Sequence, residues 1–246
     1  PADAPDAPMD TVDTDLNIAA NLQQVQQQIA DACQQAGRPP SEVRLIAVSK
    51  TKPMGLIQQA YQAGQVIFGE NKVQELTEKQ PQLPQAQWHL IGSLQTNKCK
   101  YIVGQTALIH SLEKEKQLKE LQKQAERFGV EEVRGLIQLN ISEEDAKHGV
   151  DEPTAAQLLQ ALPQYPALRI DGLMGIAENV PDEATLRGQF RRLRDALHTL
   201  HSRFGSEQAP LTELSMGMSG DFPIAIEEGA TLVRVGSAIF GARNYT

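Results

Sequence analysis

The sequence predicts one α/β domain folded as a closed (β/α)8 barrel, with an extra helix before the first strand. Short apolar runs alternate eight times with amphipathic segments along the chain. Strands joined by helices run parallel, and eight such units in about 200 residues fit a closed barrel. The 246 residues, 40% of them hydrophobic, suffice for one such core. An open, doubly wound sheet is the alternative, because a strand pattern does not show closure.

The N-terminal region divides into a tail and the first helix. Residues 1–15 are rich in Pro, Ala and Asp, which predicts a flexible acidic tail without a secretory signal. The barrel domain is predicted over 16–246. Its first helix is predicted over 16–33, before Gly37 and Pro39. The apolar residues at helical spacing in this helix are Leu22, Val25, Ile29 and Cys33.

The apolar runs predict the strands, and the segments between them predict the helices. The predicted strands cover 43–49, 66–69, 88–92, 107–111, 135–140, 170–175, 213–216 and 232–235. Two of the helical segments have clear apolar faces. The face residues are Leu118, Leu121, Ala125 and Phe128 in one, and Leu186, Phe190, Leu193, Leu197, Leu200 and Phe204 in the other.

Polar residues and glycines follow the predicted strands. In chain order they are Lys50, Glu70 with Asn71, Ser93, Glu113, Asn140, the segment 174–178, Ser219, and Gly236 with Ser237. In a parallel barrel these positions all fall at the carboxyl ends of the strands. Barrel enzymes place their chemistry at that end.

Lys50 directly follows a run that is apolar enough to be buried on both sides. Partial desolvation at the end of such a strand lowers the pKa of an ammonium group, which makes the neutral amine accessible. A neutral lysine amine can form a Schiff base with an aldehyde. A lysine that simply extends to solvent is the alternative for this residue taken alone.

Two Gly/Ser turns follow the seventh and eighth predicted strands, in the segments 214–222 and 233–241. Ser219 is predicted as the N-cap of a helix, and Gly236 and Ser237 precede another helix. The free backbone N–H groups of two helix starts form a phosphate cup, and barrels usually bind phosphate after these two strands. For either turn taken alone, structural glycine is the preferred interpretation, and the presence of both turns favours phosphate.

Arg234 lies within the eighth predicted strand, on the same face as Gly236. A charged residue in an apolar strand needs a partner. The structural alternative is an ion pair with Glu178 or Glu70. The functional hypothesis is a donor aimed at the ring nitrogen of a cofactor.

Five motifs resemble the YggS/PROSC family, the pyridoxal phosphate homeostasis proteins. They are A-V-S-K-T-K-P at 47–53, F-G-E-N-K-V-Q-E at 68–75, W-H-L-I-G-S-L-Q-T-N-K at 88–98, S-M-G-M-S-G-D-F at 215–222 and V-R-V-G-S-A-I-F-G at 233–241. They occur in order over about four fifths of the chain, with no departure at the motif positions. The resemblance implies a barrel of the alanine-racemase type that binds pyridoxal 5′-phosphate (PLP), a fold type III PLP protein.

The resemblance also assigns a role to each cofactor-binding position. Lys50 is similar to the Schiff-base lysine, and Arg234 to the arginine that contacts the pyridine nitrogen. The remaining positions are Ser219, Gly236 and Ser237 as phosphate ligands, with Asn71 and Met216 lining the cofactor.

No catalytic residue is predicted, and the expected activity is that of a carrier rather than an enzyme. An arginine cannot accept the proton of the ring nitrogen, which weakens the cofactor as an electron sink. A racemase with such an arginine needs a second acid–base group, typically a tyrosine from another domain, and this chain ends at Thr246. Tyr101 and Tyr245 are not assigned this role. The alternatives are a racemase-like PLP enzyme and a PLP-responsive regulatory interaction protein.

Composition limits the partners and the location. The net charge of −8 and the absence of a basic stripe argue against nucleic acid. No run of about 18 apolar residues predicts a membrane span. Cys33 and Cys99 do not have the spacing of a metal-binding or redox pair, and reduced structural thiols of this kind are expected in a cytoplasmic protein. His198 and His201 have no third ligand nearby in the sequence, so no metal site is expected.

The expected partners are PLP, other B6 vitamers, and PLP-requiring apoenzymes or a regulatory protein. Lys147 is a candidate contact for a second phosphate-bearing vitamer. The oligomeric state is predicted to be a monomer.

Overall fold

The computed structural model describes residues 16–142 and 148–242. Within them, eight parallel strands pair in chain order, and the last pairs with the first. The strands are β1 (Arg44–Val48), β2 (Ile67–Glu70), β3 (Gln87–Leu90), β4 (Leu108–Leu112), β5 (Val133–Gln138), β6 (Leu168–Met174), β7 (Glu213–Ser215) and β8 (Leu232–Val235). The prediction of a closed barrel is confirmed, and the open sheet is wrong.

Helices alternate with the strands on the outside of the barrel. In the described residues they are α1 (Ile18–Gln35), α2 (Met54–Gln62), α3 (Val73–Lys79), α4 (Cys99–Ile102), α5 (Glu115–Phe128), α6 (Glu152–Ala161), α7 (Glu183–Phe204), α8 (Phe222–Glu227) and α9 (Ser237–Phe240). Phe128, predicted on the apolar face of α5, is 52% exposed because the helix ends there. Gly129 then turns the chain in the left-handed conformation with φ 67°.

The extra N-terminal helix, α1, packs outside the barrel against α2, α8 and α9. Its N-cap is Asn17, whose Oδ1 accepts a hydrogen bond from the Ala20 N–H at 3.0 Å. The four apolar residues predicted for its inner face are all buried. Nδ2 of Asn21 donates to the Ile239 carbonyl in α9 at 2.9 Å. This helix therefore supports the segment that follows β8.

Apolar side chains fill the inside of the barrel as well as the layer between strands and helices. The buried residues of the inner cluster are Ile46, Ile67, Leu108, Leu136, Met174 and Leu232. The larger outer cluster includes Trp88 and Phe68, whose ring centroids are 5.5 Å apart. Each fully buried aliphatic side chain contributes about 1.5–3 kcal/mol to folding. The interior is thus a packed core rather than a pore.

The helix after β7 begins later than predicted. Ser219 was expected to be its N-cap, but α8 begins at Phe222 with Asp221 in the N-cap position. Oδ1 of Asp221 accepts a hydrogen bond from the Met218 N–H at 2.7 Å. Pro223 occupies the first turn, where a backbone N–H would have no helical partner. Ser219 therefore lies in the loop between β7 and α8.

Candidate functional site

A cavity of about 510 Å³ opens at the carboxyl ends of the strands. Residues of β1 and β8 line it, together with residues of the loops that follow β1, β6, β7 and β8. Five of the seven predicted cofactor-binding residues are among them: Lys50, Ser219, Arg234, Gly236 and Ser237. The cavity thus gathers an amine, two hydroxyl groups and a guanidinium at the end of the barrel suited to chemistry.

Lys50 follows β1, and its side chain lines the cavity. Strand alternation puts Ile46, Val48 and Lys50 on the inner side and the fully buried Ser49 on the outer side. Thr51 has a φ of 63°, which a β-branched residue rarely adopts. Its hydroxyl donates to the Lys50 carbonyl at 2.6 Å. The chain therefore turns sharply directly after Lys50, at the edge of the cavity.

The loops after β7 and β8 meet at one wall of the cavity. Oγ of Ser219 accepts a hydrogen bond from the Gly236 N–H at 3.3 Å. A Cβ atom on Gly217, whose φ is 103°, would lie 2.8 Å from the Cβ of Ala225, so only glycine fits there. α9 begins at Ser237, directly after Gly236. Hydroxyl groups and the N–H groups of a helix start are donors of the kind that bind phosphate.

Arg234 lies in β8 and is 3% exposed. Its NH1 donates to Oγ of Ser215 at 2.7 Å and to the Ser215 carbonyl at 3.3 Å, and its NH2 donates to the Gly175 carbonyl at 3.1 Å. Burial lowers the pKa of Arg234 to about 10. The alternative of an ion pair with Glu70 is wrong, since that carboxylate lies on the outer side of β2 and contacts Lys79. The bonds to fixed oxygens hold the guanidinium at the cavity wall.

A chain of buried polar side chains continues from Arg234 across the barrel interior. Nδ1 of His110 lies 2.9 Å from Oγ of Ser215, and Nε2 of His110 lies 2.9 Å from Nδ1 of His89. We call Arg234, Ser215, His110 and His89 the inner chain. These contacts allow a continuous series of donors in which Arg234 donates to Ser215, Ser215 to His110, and His110 to His89.

The two histidines of the inner chain are neutral at neutral pH. Burial lowers the pKa of His89 to about 3, with the charges of Arg44 and Arg134 acting in the same direction. Burial likewise holds the pKa of His110 well below its usual range, assisted by His89 and Arg234. The sequence assigned these histidines no role. Strand alternation carried one step further would have found them, because it places His89 and His110 inside the barrel.

Comparisons with known proteins agree with this geometry. The family described as "Alanine racemase, N-terminal domain" matches residues 20–244. A pyridoxal phosphate homeostasis protein from Pasteurella multocida is 42% identical over 236 residues, which cover 94% of this chain and all of the relative. Another from Aquifex aeolicus is 39% identical over 233 residues, with the same coverage. The chain belongs to the pyridoxal phosphate homeostasis protein family.

A solved structure of a homologue also matches. PipY of Synechococcus elongatus, in a structure with PLP bound, is 37% identical to this chain with a TM-score of 0.78. The match covers 92% of this chain and 100% of PipY. The homeostasis family and the barrel of the alanine-racemase type were both expected from the motifs, and both are confirmed.

Two of the predicted cofactor-binding residues, Asn71 and Met216, do not line the cavity. Asn71 is half-buried after β2, and its carbonyl oxygen is so near Gly92 that a Cβ atom there would lie 2.1 Å from it. Met216 is fully buried in the outer cluster, because strand alternation turns it away from the side that Ser215 faces. Contact between the cofactor and either Asn71 or Met216 stays a prediction.

The cavity also contains residues to which the sequence analysis gave no ligand role. Lys52, Glu178, Asn179, Met218 and Asp221 all line it. Nζ of Lys52 donates to the Gly241 carbonyl at 3.3 Å. Burial raises the pKa of Asp221, while the Met218 N–H and the charge of Arg234 act against that shift. Strand alternation does not indicate Lys52, because β1 ends at Val48 and the left-handed Thr51 interrupts the alternation before Lys52.

Several other features lie away from the cavity or outside the described residues. The tail 1–15, Lys147 and Tyr245 are outside the described residues. Cys33 and Cys99 are both buried and unbridged, and burial raises the pKa of Cys99 to about 12. Over 16–142 and 148–242, three or more potential metal ligands nowhere cluster. No helix in those ranges is both long and apolar enough to cross a bilayer.

Proposed function

We propose that this protein binds PLP as a Schiff base on Lys50 and takes part in the intracellular homeostasis of PLP, and through it of amino and keto acids. The observation that carries the proposal is the shared cavity of Lys50, Arg234 and the loops after β7 and β8. The names of the relatives and the PLP bound to PipY support the choice of cofactor.

The residues present fit each part of PLP. Lys50 supplies the amine that condenses with the aldehyde, and the condensation releases one water molecule. Ser219, Gly236 and Ser237 supply hydroxyl and N–H donors for the phosphate. Arg234 supplies a fixed, positively charged donor for the ring nitrogen, which can only accept while it is unprotonated. When bound, PLP would supply a masked, reversibly released aldehyde.

The carrier function is preferred over catalysis because of Arg234. PLP enzymes stabilise a carbanion best when the ring nitrogen is protonated, and a guanidinium donor opposes that protonation. Tyr101 is 50% exposed and is not among the lining residues, so it does not supply an acid–base group to the cavity.

The proposed form of the protein is a cytoplasmic monomer. It binds PLP or other B6 vitamers and passes PLP to PLP-requiring apoenzymes. Sedimentation measurements test the monomer.

Borohydride trapping tests the site. The purified protein is incubated with PLP, its visible absorbance is recorded, and the reduced pyridoxyl group is located by peptide mass. We expect a yellow protein with the label on Lys50 and a colourless Lys50→Ala variant. Lys52→Ala is the matched control, since Lys52 lines the same cavity, and it should keep the label on Lys50. A label on Lys52, or no label on any lysine, contradicts the proposal.

The distinction between carrier and enzyme has its own measurement. The loaded protein is incubated with each proteinogenic amino acid, and the optical purity of the amino acid is followed by chiral chromatography. We expect no steady racemisation. We also expect PLP to reach an added apoenzyme faster from the loaded protein than it does by free diffusion in a control without the protein. Steady racemisation that disappears in Lys50→Ala would replace the carrier with a racemase-like enzyme.

A further inference from the structure

A charged cluster lies beneath Lys50, on the side of the strand layer that faces the helices. We call Ser49, Glu70, Glu75 and Lys79 the outer cluster. Glu70 and Ser49 are fully buried, and Lys79 at the end of α3 is 7% exposed. Nζ of Lys79 lies 3.0 Å from Oε2 of Glu70 and 2.5 Å from Oε2 of Glu75.

The outer cluster binds the main chain on both sides of Lys50. Nζ of Lys79 donates to the Ser49 carbonyl at 2.8 Å. The Ser49 hydroxyl donates to Glu70. Oε2 of Glu75 accepts a hydrogen bond from the Thr51 N–H at 2.6 Å. Two helical side chains therefore fix the residue before Lys50 and the residue after it.

Stability alone does not explain this cluster. Replacing a buried ion pair by apolar residues of similar size is often neutral or stabilising, because charges lose their hydration on burial. Oε1 of Glu70 is buried without a hydrogen-bond partner in the described residues, which adds to the cost. Thr51 adds the cost of a left-handed backbone. The polar and strained groups converge on one short segment, the turn 49–51.

We propose that Lys79, Glu70 and Glu75 are positioning residues that fix the turn 49–51 and thereby aim the Lys50 amine into the cavity. The proposal rests on the proposed Schiff base at Lys50. A lysine side chain has four rotatable bonds, and its amine must reach the aldehyde carbon of a ligand whose phosphate is already held by the loops after β7 and β8. Fixing the backbone removes one source of misplacement, and misplacement by 1 Å can cost about a hundredfold in rate.

The test separates aiming of Lys50 from general binding. Two probes are used: PLP, and pyridoxine 5′-phosphate, which has the same ring and phosphate but a hydroxymethyl group in place of the aldehyde. The variants are Glu75→Ala, which frees the Thr51 N–H, and Glu75→Gln, which keeps an acceptor. Glu75 is partly exposed, and Lys79 keeps Glu70 as a partner in both variants, so both are expected to fold. Thermal unfolding checks this.

We expect Glu75→Ala to slow borohydride-trappable labelling of Lys50 by roughly tenfold, with pyridoxine 5′-phosphate binding within about twofold of wild type. Glu75→Gln should recover most of the labelling rate. Glu78→Gln is the matched control, because Glu78 is an exposed acid on the same helix and pairs only weakly with Gln74 at 3.4 Å among the described residues. It should label like wild type.

Each outcome has one meaning. Wild-type labelling in Glu75→Ala, or equal losses with both probes, overturns the positioning role while the proposed function stands. An unlabelled wild type overturns the proposed function itself. Lys79→Met, combined with Glu70→Gln so that the fully buried carboxylate is not left without its cation, repeats the test from the other side of the turn. It should slow labelling without weakening pyridoxine 5′-phosphate binding.

Discussion

The inner chain and the outer cluster are two buried polar networks on opposite sides of the same strand layer. The inner chain crosses the barrel interior and ends at Arg234 in the cavity wall. The outer cluster lies between strands and helices and ends on the backbone beside Lys50. One network thus reaches the site through a side chain, and the other through the main chain.

Burial shifts the pKa values of the titratable groups in the two networks in opposite directions. Burial lowers the pKa of His89 to about 3, so the histidine loses its charge. Burial also raises the pKa of Glu70 to about 7, although Lys79 and Ser49 oppose the shift. Both groups move toward their neutral form, but a base and an acid do so in opposite pH directions. Stability as a function of pH can therefore distinguish the networks.

The largest effect is expected from breaking the outer cluster at its centre. Lys79→Met leaves the buried Glu70 without its cation, which should lower the free energy of unfolding by about 4 kcal/mol at pH 8. Urea denaturation measures this. Lys79→Met combined with Glu70→Gln should recover most of the loss, while Glu78→Gln should change little. If the double variant is as unstable as Lys79→Met, the loss comes from packing or from the lost Glu75 contact, and not from the charge of Glu70.

A second effect should appear in the pH dependence that Glu70 confers. Its folded-state pKa, about 7, exceeds the ordinary 4.5, so the folded protein binds a proton that the unfolded chain has released. The contribution is therefore present below pH 4.5 and is lost as the pH rises through 7, by about 3 kcal/mol. Glu70→Gln, neutral throughout, should lack this loss when unfolding is measured at several pH values. Parallel curves for wild type and Glu70→Gln would contradict the assignment.

The inner chain should show the opposite dependence. His89 has an ordinary pKa of 6.5 when unfolded and about 3 when folded, so the unfolded chain takes up the proton first. The contribution of His89 to the free energy of unfolding is therefore fully present above pH 6.5. It decreases below that pH, by about 2 kcal/mol at pH 5. His89→Gln should flatten the acid side of the curve. His198→Gln, at an exposed position on α7, should keep the wild-type slope.

Local sequence patterns were enough to predict the fold and the site residues at the ends of the strands. The alternation of apolar runs and helices gave eight strands, and the position after a strand gave Lys50, Ser219, Gly236 and Ser237, all of which line the cavity. These predictions need only the order of elements and the rule that parallel strands end together. They do not depend on which side chains meet across the barrel.

The networks could not be predicted because they join distant parts of the chain. Ser215 meets His110 from 105 positions away, and Lys79 returns from the end of α3 to the Ser49 carbonyl 30 positions earlier. Neither contact leaves a local spacing pattern. The inner faces of Ser215 and His110 could be inferred from alternation, but their pairing depends on how the barrel closes.

The smallest effect is expected from a comparison of two buried serines, Ser215 and Ser111. Ser215→Ala removes the hydroxyl between Arg234 and His110 and should lower the free energy of unfolding by about 1 kcal/mol, because Arg234 keeps its bonds to two backbone carbonyls. Ser111 is the matched control: its hydroxyl is equally buried but has no hydrogen-bond partner within the described residues. Ser111→Ala should therefore be neutral or slightly stabilising by urea denaturation. Equal losses in both variants would mean that the inner chain is held by packing alone and that the Ser215 hydroxyl does not help to fix Arg234.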